Sequence, residues 1–178
     1  MPNPAVLTQK LLANKPFNPE FFQDVKTDLF GDFREKVADF QPHAVVFSTV
    51  VEDTWPQARD MLKVLSEEYP HVRTLVGGVY STMVPQRVIA SPYTQVVGFG
   101  EGEDTVVDFC EAVRKGESLT NIPGTFAKYQ DGRIISNPPR KVVDLNQTPI
   151  PDFSGFDRNR FRRPIGKSPY PDNMWMAI

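Results

Sequence analysis

Between Thr74 and Phe109 a strand, a Gly-rich turn and a helix succeed one another twice, as TLVGGVYSTMVPQRVI and then QVVGFGEGEDTVVDFCEAV. The first apolar run, Thr74 to Val76, turns at Gly77 and Gly78. The second, Gln95 to Val97, turns at Gly98, Gly100 and Gly102. Short strands apolar on both sides belong in a parallel sheet covered by helices. Glycines at the carboxyl ends of such strands let a ligand approach the backbone closely. The turns are therefore where a binding site is sought.

The rest of the chain extends this pattern on both sides. Ala44 to Ser48 reads as a buried strand turning at Thr49 to Asp53, and Asp53 or Thr54 caps a helix with Pro56 in its first turn. Trp55, Ala58, Met61, Leu62 and Leu65 form that helix's apolar stripe. Upstream, Asp32 is the expected N-cap of a helix carrying Phe33, Val37 and Phe40, and Phe21 to Phe30 reads as a strand. Downstream, a short helix runs from Pro85 to Ala90, and another from Glu103 to Lys115 stops at Gly116. Val106, Val107, Phe109, Cys110 and Val113 are its expected core face. Thr125–Tyr129 and Arg133–Ser136 flank an Asp-Gly turn and form a β-hairpin. The fold predicted is α/β: a flavodoxin-like, Rossmann-type doubly wound parallel sheet, then a β-hairpin and an extended Pro-rich tail. The expected division is an α/β domain over 1–120, the hairpin over 121–137 and a tail over 138–178. Seven of the 17 prolines lie in that last part. Its Phe153, Phe156, Phe161, Trp175 and Met176 are too apolar for a free linker, so part of it is expected to lie over a partner surface.

Composition excludes several functions. A net charge of −2 with 40% hydrophobic and 24% charged residues describes a globular chain with no electrostatic case for nucleic acid or an anionic membrane. The Arg158 to Lys167 run is accordingly read as an interface. No apolar run approaches the roughly 20 residues of a membrane span, and no signal pattern opens the chain, which makes the cytoplasm the expected compartment. One cysteine, Cys110, excludes an intramolecular disulfide and a cluster held by this chain's own thiols; on its helix face it reads as a buried thiol. His43 and His71 sit beside prolines at element boundaries and read as surface residues. With two histidines so placed, no Ser/His/Asp or Cys/His arrangement can be built.

Three turns share one rim: Ser48-Thr49-Val50, Gly77-Gly78 and Gly98 to Gly102. Their hydroxyls, exposed backbone N–H groups and nearby helix N-termini suit a cofactor with amide and phosphate groups. The other reading is that the glycines merely permit tight turns. Nucleotide binding is disfavoured: no GxxxxGK[ST] loop is present, and after Gly98 and Gly100 the last glycine of a GxGxxG fingerprint is Glu103. Glu101, Glu103 and Asp104 fit a helix's first turn better than an acid/base cluster. Trp55 and Tyr80 are expected near the rim, with core packing open for Trp55.

AVVFSTVVEDTW, TLVGGVYSTMVPQRVI, VVGFGEGEDTVVDFCEAV and IPGTFAKYQDGRIISNPPRKVVDLNQTPIPDF together resemble the N-terminal cobalamin-binding domain of cobalamin-dependent radical S-adenosylmethionine enzymes. The resemblance covers roughly Asp32 to Phe153. It implies that a corrin and its nucleotide tail pack against the strand ends. Ser48, Thr49 and Val50 would lie near the tail; Gly77 and Gly78 would let it pass; Gly100, Glu101, Gly102 and Glu103 would match the family's G-E-G-E turn, with Gly98 before it also a cofactor-binding candidate. Tyr80 stands where relatives often carry His. Valine at Gly77 or Gly78 is accordingly expected to abolish binding and leave a folded domain. The Asp-x-His-x-x-Gly loop that ligates cobalt in methionine-synthase-type domains has no counterpart, so no axial His is expected. The family's first strand lies upstream of the aligned stretch and is not evident in residues 1–20. The resemblance further implies a downstream radical domain on the same polypeptide, holding S-adenosylmethionine and an iron–sulfur cluster, most often for methyl transfer. On that reading this chain carries the cofactor and performs no catalysis alone. The competing readings are a flavodoxin-like interaction module that has lost cobalamin, and a binder of another cofactor such as flavin mononucleotide.

Overall fold

The structure is a computed structural model that describes residues 28–141 and positions 146, 150, 152 and 154. The strand expected over Phe21 to Phe30 lies outside the described residues as far as residue 27 and is corrected at its end, where Leu29 and Phe30 are helical; the expectations for the tail beyond these positions lie outside the described residues. The larger compact unit is Asp28–Thr148.

It opens with helix α1, Leu29–Phe40. The cap is Asp28 and not Asp32: the Asp28 carboxylate accepts from the Gly31 N–H at 2.7 Å, so the helix begins a turn earlier and takes in Leu29 and Phe30. The helix ends at Gln41, in the left-handed conformation. Strand β1, Ala44–Ser48, follows, then a 3₁₀ turn at Glu52–Thr54 and helix α2, Trp55–Glu68. Thr54 precedes α2 with no side-chain cap bond, and its hydroxyl donates instead to the Val51 carbonyl. Strand β2, Arg73–Gly77, leads into two short helices, α3 at Val79–Met83 and α4 at Pro85–Ala90. Strand β3, Val96–Gly98, leads to helix α5, Glu103–Lys115, stopped by Gly116 at φ 67°. Strands β4, Thr125–Lys128, and β5, Ile134–Ser136, close the order.

Among the described residues the sheet has five strands, in the order β1-β2-β3-β4-β5. β1, β2 and β3 are parallel, with Val46 beside Leu75 and Leu75 beside Val96. β4 then runs antiparallel to β3, with Val97 opposite Phe126, and β5 antiparallel to β4. The hairpin thus continues the sheet, and it does so because Ala127 is fully buried against the core that β3 already carries.

Both faces are covered, as a doubly wound sheet requires. On one, Val76 and Val97 pack with Trp55, Leu62, Tyr80, Val88 and Ile89 from α2, α3 and α4. On the other, Leu75, Val96 and Ala127 pack with Phe109 and Ala112 of α5. Each Val, Leu, Ile or Phe side chain fully buried there contributes about 1.5–3 kcal/mol. Two readings of burial need correction. Among the described residues β1 is an edge strand, not a fully buried one, and Val46 is 42% exposed. On α5 the buried stripe is Thr105, Phe109 and Ala112, while Val107 and Cys110 are exposed. At 3.6 residues per turn Val107 lies about 160° around the helix from Phe109, so both cannot face one sheet.

Candidate functional site: the carboxyl-end rim

β1, β2 and β3 are parallel, so the turns that follow them emerge on one side of the sheet. The structure brings Thr49, Gly77, Gly78 and Gly100 together there through a chain of hydrogen bonds. The Thr49 N–H donates to the Gly77 carbonyl at 2.8 Å, and the Tyr80 N–H donates to the Thr49 carbonyl at 3.0 Å. Thr49 Oγ1 and Ser81 Oγ lie 2.9 Å apart, and each lies 3.1 Å from the Gly77 oxygen. Two hydroxyl hydrogens serve those contacts, so one hydroxyl donates to the carbonyl and the other to that hydroxyl. On the far side the Gly100 N–H donates to Thr82 Oγ1 at 3.1 Å. Helix α3 therefore ties all three turns together, and nothing in the sequence periodicity marked it, because five residues are too few to show one.

The individual residues divide by role. Thr49 is 1% exposed and its hydroxyl is already used, so it braces the rim from beneath. Ser48 and Val50 are exposed. Tyr80 does not line the rim with its ring: it is buried on Trp55, ring centroids 6.5 Å apart, and only its backbone N–H serves the turn. Trp55 is buried likewise. Gly78, at φ 98°, is required by the protein itself, since a Cβ there would sit 2.5 Å from the Thr49 oxygen and 2.8 Å from its nitrogen. The expectation that Gly78→Val leaves a folded domain is therefore corrected. Gly77 and Gly102 differ: a Cβ on either meets no atom within 4 Å, and Gly100 is as open in space but holds φ 74°, which favours glycine on backbone grounds alone. At Gly98 a Cβ would meet only ordinary contact, 3.6 Å from the Thr105 methyl. Glu101, Glu103 and Asp104 are exposed around the start of α5.

Apart from Val50, sequence reasoning missed the apolar content of this edge. Val50 and Val51 after β1, and Val79 and Met83 on α3, are all largely exposed. Val79 and Met83 are four apart and so share a helix face. Their signal was available as apolar residues inside supposed turn segments. An open glycine edge, the exposed Ser48 hydroxyl and exposed aliphatic side chains together fit a large ligand that is apolar over one part and polar over another.

The histidines are at the other end. His43 precedes β1 and His71 precedes β2, and both line an open hollow of about 530 Å³ with Val37, Pro42 and Tyr69. His43 is separated from Thr49 by about 20 Å of extended chain, at roughly 3.3 Å per residue. Among the described residues, no three His, Cys, Asp or Glu side chains gather into a metal-binding group, and no helix is long and apolar enough to cross a membrane.

The fold and its rim define an α/β cofactor-binding domain of the kind that takes its ligand at the strand ends. The sequence matches the family described as B12 binding domain over residues 21–109, and the chain belongs to that family. It is 25% identical over 146 residues to an anaerobic magnesium-protoporphyrin IX monomethyl ester cyclase of Rubrivivax gelatinosus, covering 79% of this chain and 26% of the relative. A cyclase of the same description from Cereibacter sphaeroides is 30% identical over 152 residues, covering 82% and 24%. An uncharacterized methyltransferase of Pyrococcus horikoshii is 25% identical over 135 residues, covering 75% and 29%. The chain thus spans about a quarter of the length of each cyclase and 29% of that of the methyltransferase. The fold is similar to that of the radical S-adenosylmethionine methyltransferase TsrM from Kitasatospora setae, at TM-score 0.56 and 17% identity over 65% of this chain and 22% of that one. It is also similar to the cobalamin-dependent radical enzyme OxsB, at TM-score 0.53 and 20% identity over 65% and 16%.

Proposed function

We propose that the rim formed by Ser48–Val51, Gly77–Met83 and Gly98–Gly102 holds cobalamin, and that the chain is the cofactor-carrying part of a radical S-adenosylmethionine enzyme, most simply a methyltransferase. The observation that carries the reading is the open space beside Gly77, Gly100 and Gly102 at the ends of adjacent strands, bordered by exposed aliphatic side chains, in a member of the B12 binding domain family. The residues fit the group. Val50, Val51, Val79 and Met83 would lie under the apolar part of the macrocycle, and Gly77 would leave room for its nucleotide arm. Ser48 would meet its amide side chains, with Glu101 at the edge. Thr49, Ser81 and Thr82 keep the three turns in register, so that little ordering entropy remains to be spent on binding. Bound cobalamin supplies a cobalt-held ligand for group transfer, and no His of this chain's described rim lies at hand to ligate the metal. The S-adenosylmethionine and iron–sulfur chemistry would belong to a downstream domain, which is also the proposed partner. The methyltransferase of Pyrococcus horikoshii among the relatives supports methyl transfer. An exposed free thiol at Cys110 suits a reducing compartment, and we place the protein in the cytoplasm.

The test is reconstitution with hydroxocobalamin followed by gel filtration. Corrin absorbance that comigrates with the protein, and is lost in Gly77→Val, is the expected result. Protein that emerges colourless sinks the cofactor reading, and yellow protein with flavin fluorescence after incubation with flavin mononucleotide replaces it. Three cysteines at CxxxCxxC spacing in the full-length polypeptide would support the radical domain; their absence there would end that part of the proposal.

A further inference from the structure

The segment that leaves β5 returns to the rim through one side chain. Arg140 Nε donates to Thr105 Oγ1 at 2.9 Å, and its terminal nitrogen pairs with the Asp108 carboxylate. The Arg140 side chain is 16% exposed, while that of Asp108 is half exposed, so the guanidinium is drawn in against the helix. Its aliphatic stem lies against Gly124, where a Cβ would come 3.3 Å from Arg140 Cγ. Gly124 is itself tied to both neighbours: its carbonyl accepts from the Phe99 N–H, and its N–H donates to the Pro138 carbonyl.

Thr105 is the hub of this arrangement. It is 1% exposed, its methyl sits where a Gly98 Cβ would touch it at 3.6 Å, and its hydroxyl lies 3.3 Å from the Glu101 carbonyl. A hydroxyl has one hydrogen, and Arg can only donate. The Thr105 hydroxyl thus accepts from Arg140 and donates its one hydrogen to the Glu101 carbonyl. The Gly98–Gly102 turn is held on one side by Thr82 and on the other by Thr105, and Thr105 is oriented by Arg140.

We infer that Arg140 is a positioning residue for the Gly98–Gly102 turn, acting through Thr105, so that the segment following β5 sets the shape of the third arm of the rim. As a contribution to cofactor affinity this rests on the cobalamin reading; as a statement about the turn it does not. Arg140 touches no part of the rim surface itself. Its role is to remove the freedom of Thr105 to rotate and of Glu101 to turn its carbonyl away.

The experiment is amide hydrogen exchange on the ligand-free chain, joined to hydroxocobalamin titration, for Arg140→Ala, Thr105→Val, the double variant and Arg114→Ala. Arg114 pairs with Glu111 on the exposed side of the same helix and serves as the control. In Arg140→Ala the protected amides of Phe99, Gly100 and Val106 should exchange at least about tenfold faster, the loss expected from one charge-assisted hydrogen bond. The Leu75 and Val76 amides of β2 should be unmoved, and cobalamin affinity should fall by a similar factor. Thr105→Val should reproduce the effect, and the double variant should add nothing to it, because both break one relay. Unchanged turn amides in Arg140→Ala, acceleration spread evenly over the sheet, or additive effects in the double variant would each overturn the inference. Should Arg140→Ala fail to fold, Thr105→Val alone decides by the same amides. If the wild type takes up no hydroxocobalamin but the turn amides respond as described, the cofactor reading fails and the positioning role stands.

Discussion

Adjacent glycines at one strand end should behave in opposite ways when given a methyl group. At Gly78 the backbone has φ 98° and ψ 179°, a conformation essentially reserved for glycine, and an added Cβ would lie 2.5 Å from the Thr49 carbonyl oxygen. Relief of that clash must move Thr49, whose N–H and carbonyl hold the Gly77 carbonyl at 2.8 Å and the Tyr80 N–H at 3.0 Å. The backbone strain costs about 1–3 kcal/mol and each lost hydrogen bond about 1 kcal/mol, so Gly78→Ala should destabilise the domain by about 3–5 kcal/mol. That is a large part of the 5–15 kcal/mol typical of a domain, roughly. At Gly77 the Cβ meets nothing within 4 Å, and the change should stay within about 0.5 kcal/mol, as for substitutions away from packed or strained sites. Equilibrium urea unfolding of both variants measures the difference, with the slope against urea checked for constancy. Titration with hydroxocobalamin of Gly77→Val then reads the ligand's demand separately from the fold's. A Gly78→Ala midpoint equal to wild type would refute the close-approach argument. A stable Gly77→Val that bound cobalamin as tightly as wild type would remove Gly77 from the site.

Three further outcomes follow from where particular groups lie. Electron paramagnetic resonance of the cob(II)alamin form should lack nitrogen splitting from His43 or His71, which stand at the amino ends of β1 and β2; a triplet splitting abolished by His43→Ala or His71→Ala would contradict the placement. Cys110 should react with a thiol reagent in the folded protein, being exposed on α5, and reaction only after unfolding would show it buried. Burial holds the Lys128 ammonium below the ordinary lysine range, so the unfolded chain binds more protons than the folded one between the two values. Stability should therefore rise with pH across that alkaline window, and Lys128→Met should flatten the rise in urea midpoints; an equal slope in both proteins would show that Lys128 does not titrate differently on folding.

Much of the architecture was written in local pattern. The bounds of α4, Pro85–Ala90, and α5, Glu103–Lys115, and the stop at Gly116 follow from proline at an N-terminus, apolar spacing and glycine at a C-terminus, each a property of a few neighbouring residues. The strands at Ala44–Ser48 and around Val76 and Val97 were legible for the same reason, and so were the turns that border the rim. Local pattern was ambiguous where two residues offered the same chemistry. Asp28 and Asp32 can each cap a helix, and spacing of apolar residues did not choose between them; the Gly31 N–H did.

What the tertiary structure decided was the use of each rim residue. Thr49 reads as a hydroxyl offered to a ligand until Gly77 and Ser81, 28 and 32 positions away, close over it. Tyr80 and Trp55 turn inward because they find each other, and Val107 and Cys110 turn outward because Phe109 takes the sheet. Gly77 and Gly78 are identical in sequence, and only the approach of the Thr49 backbone makes one a requirement of the fold and leaves the other open. Arg140 gives no periodic or motif signal, yet it reaches Thr105 across 35 positions. Propensity and spacing act between near neighbours, so they fix the elements; burial and hydrogen-bond partners come from segments brought together by the sheet, and those partners determine which side chains remain for a ligand.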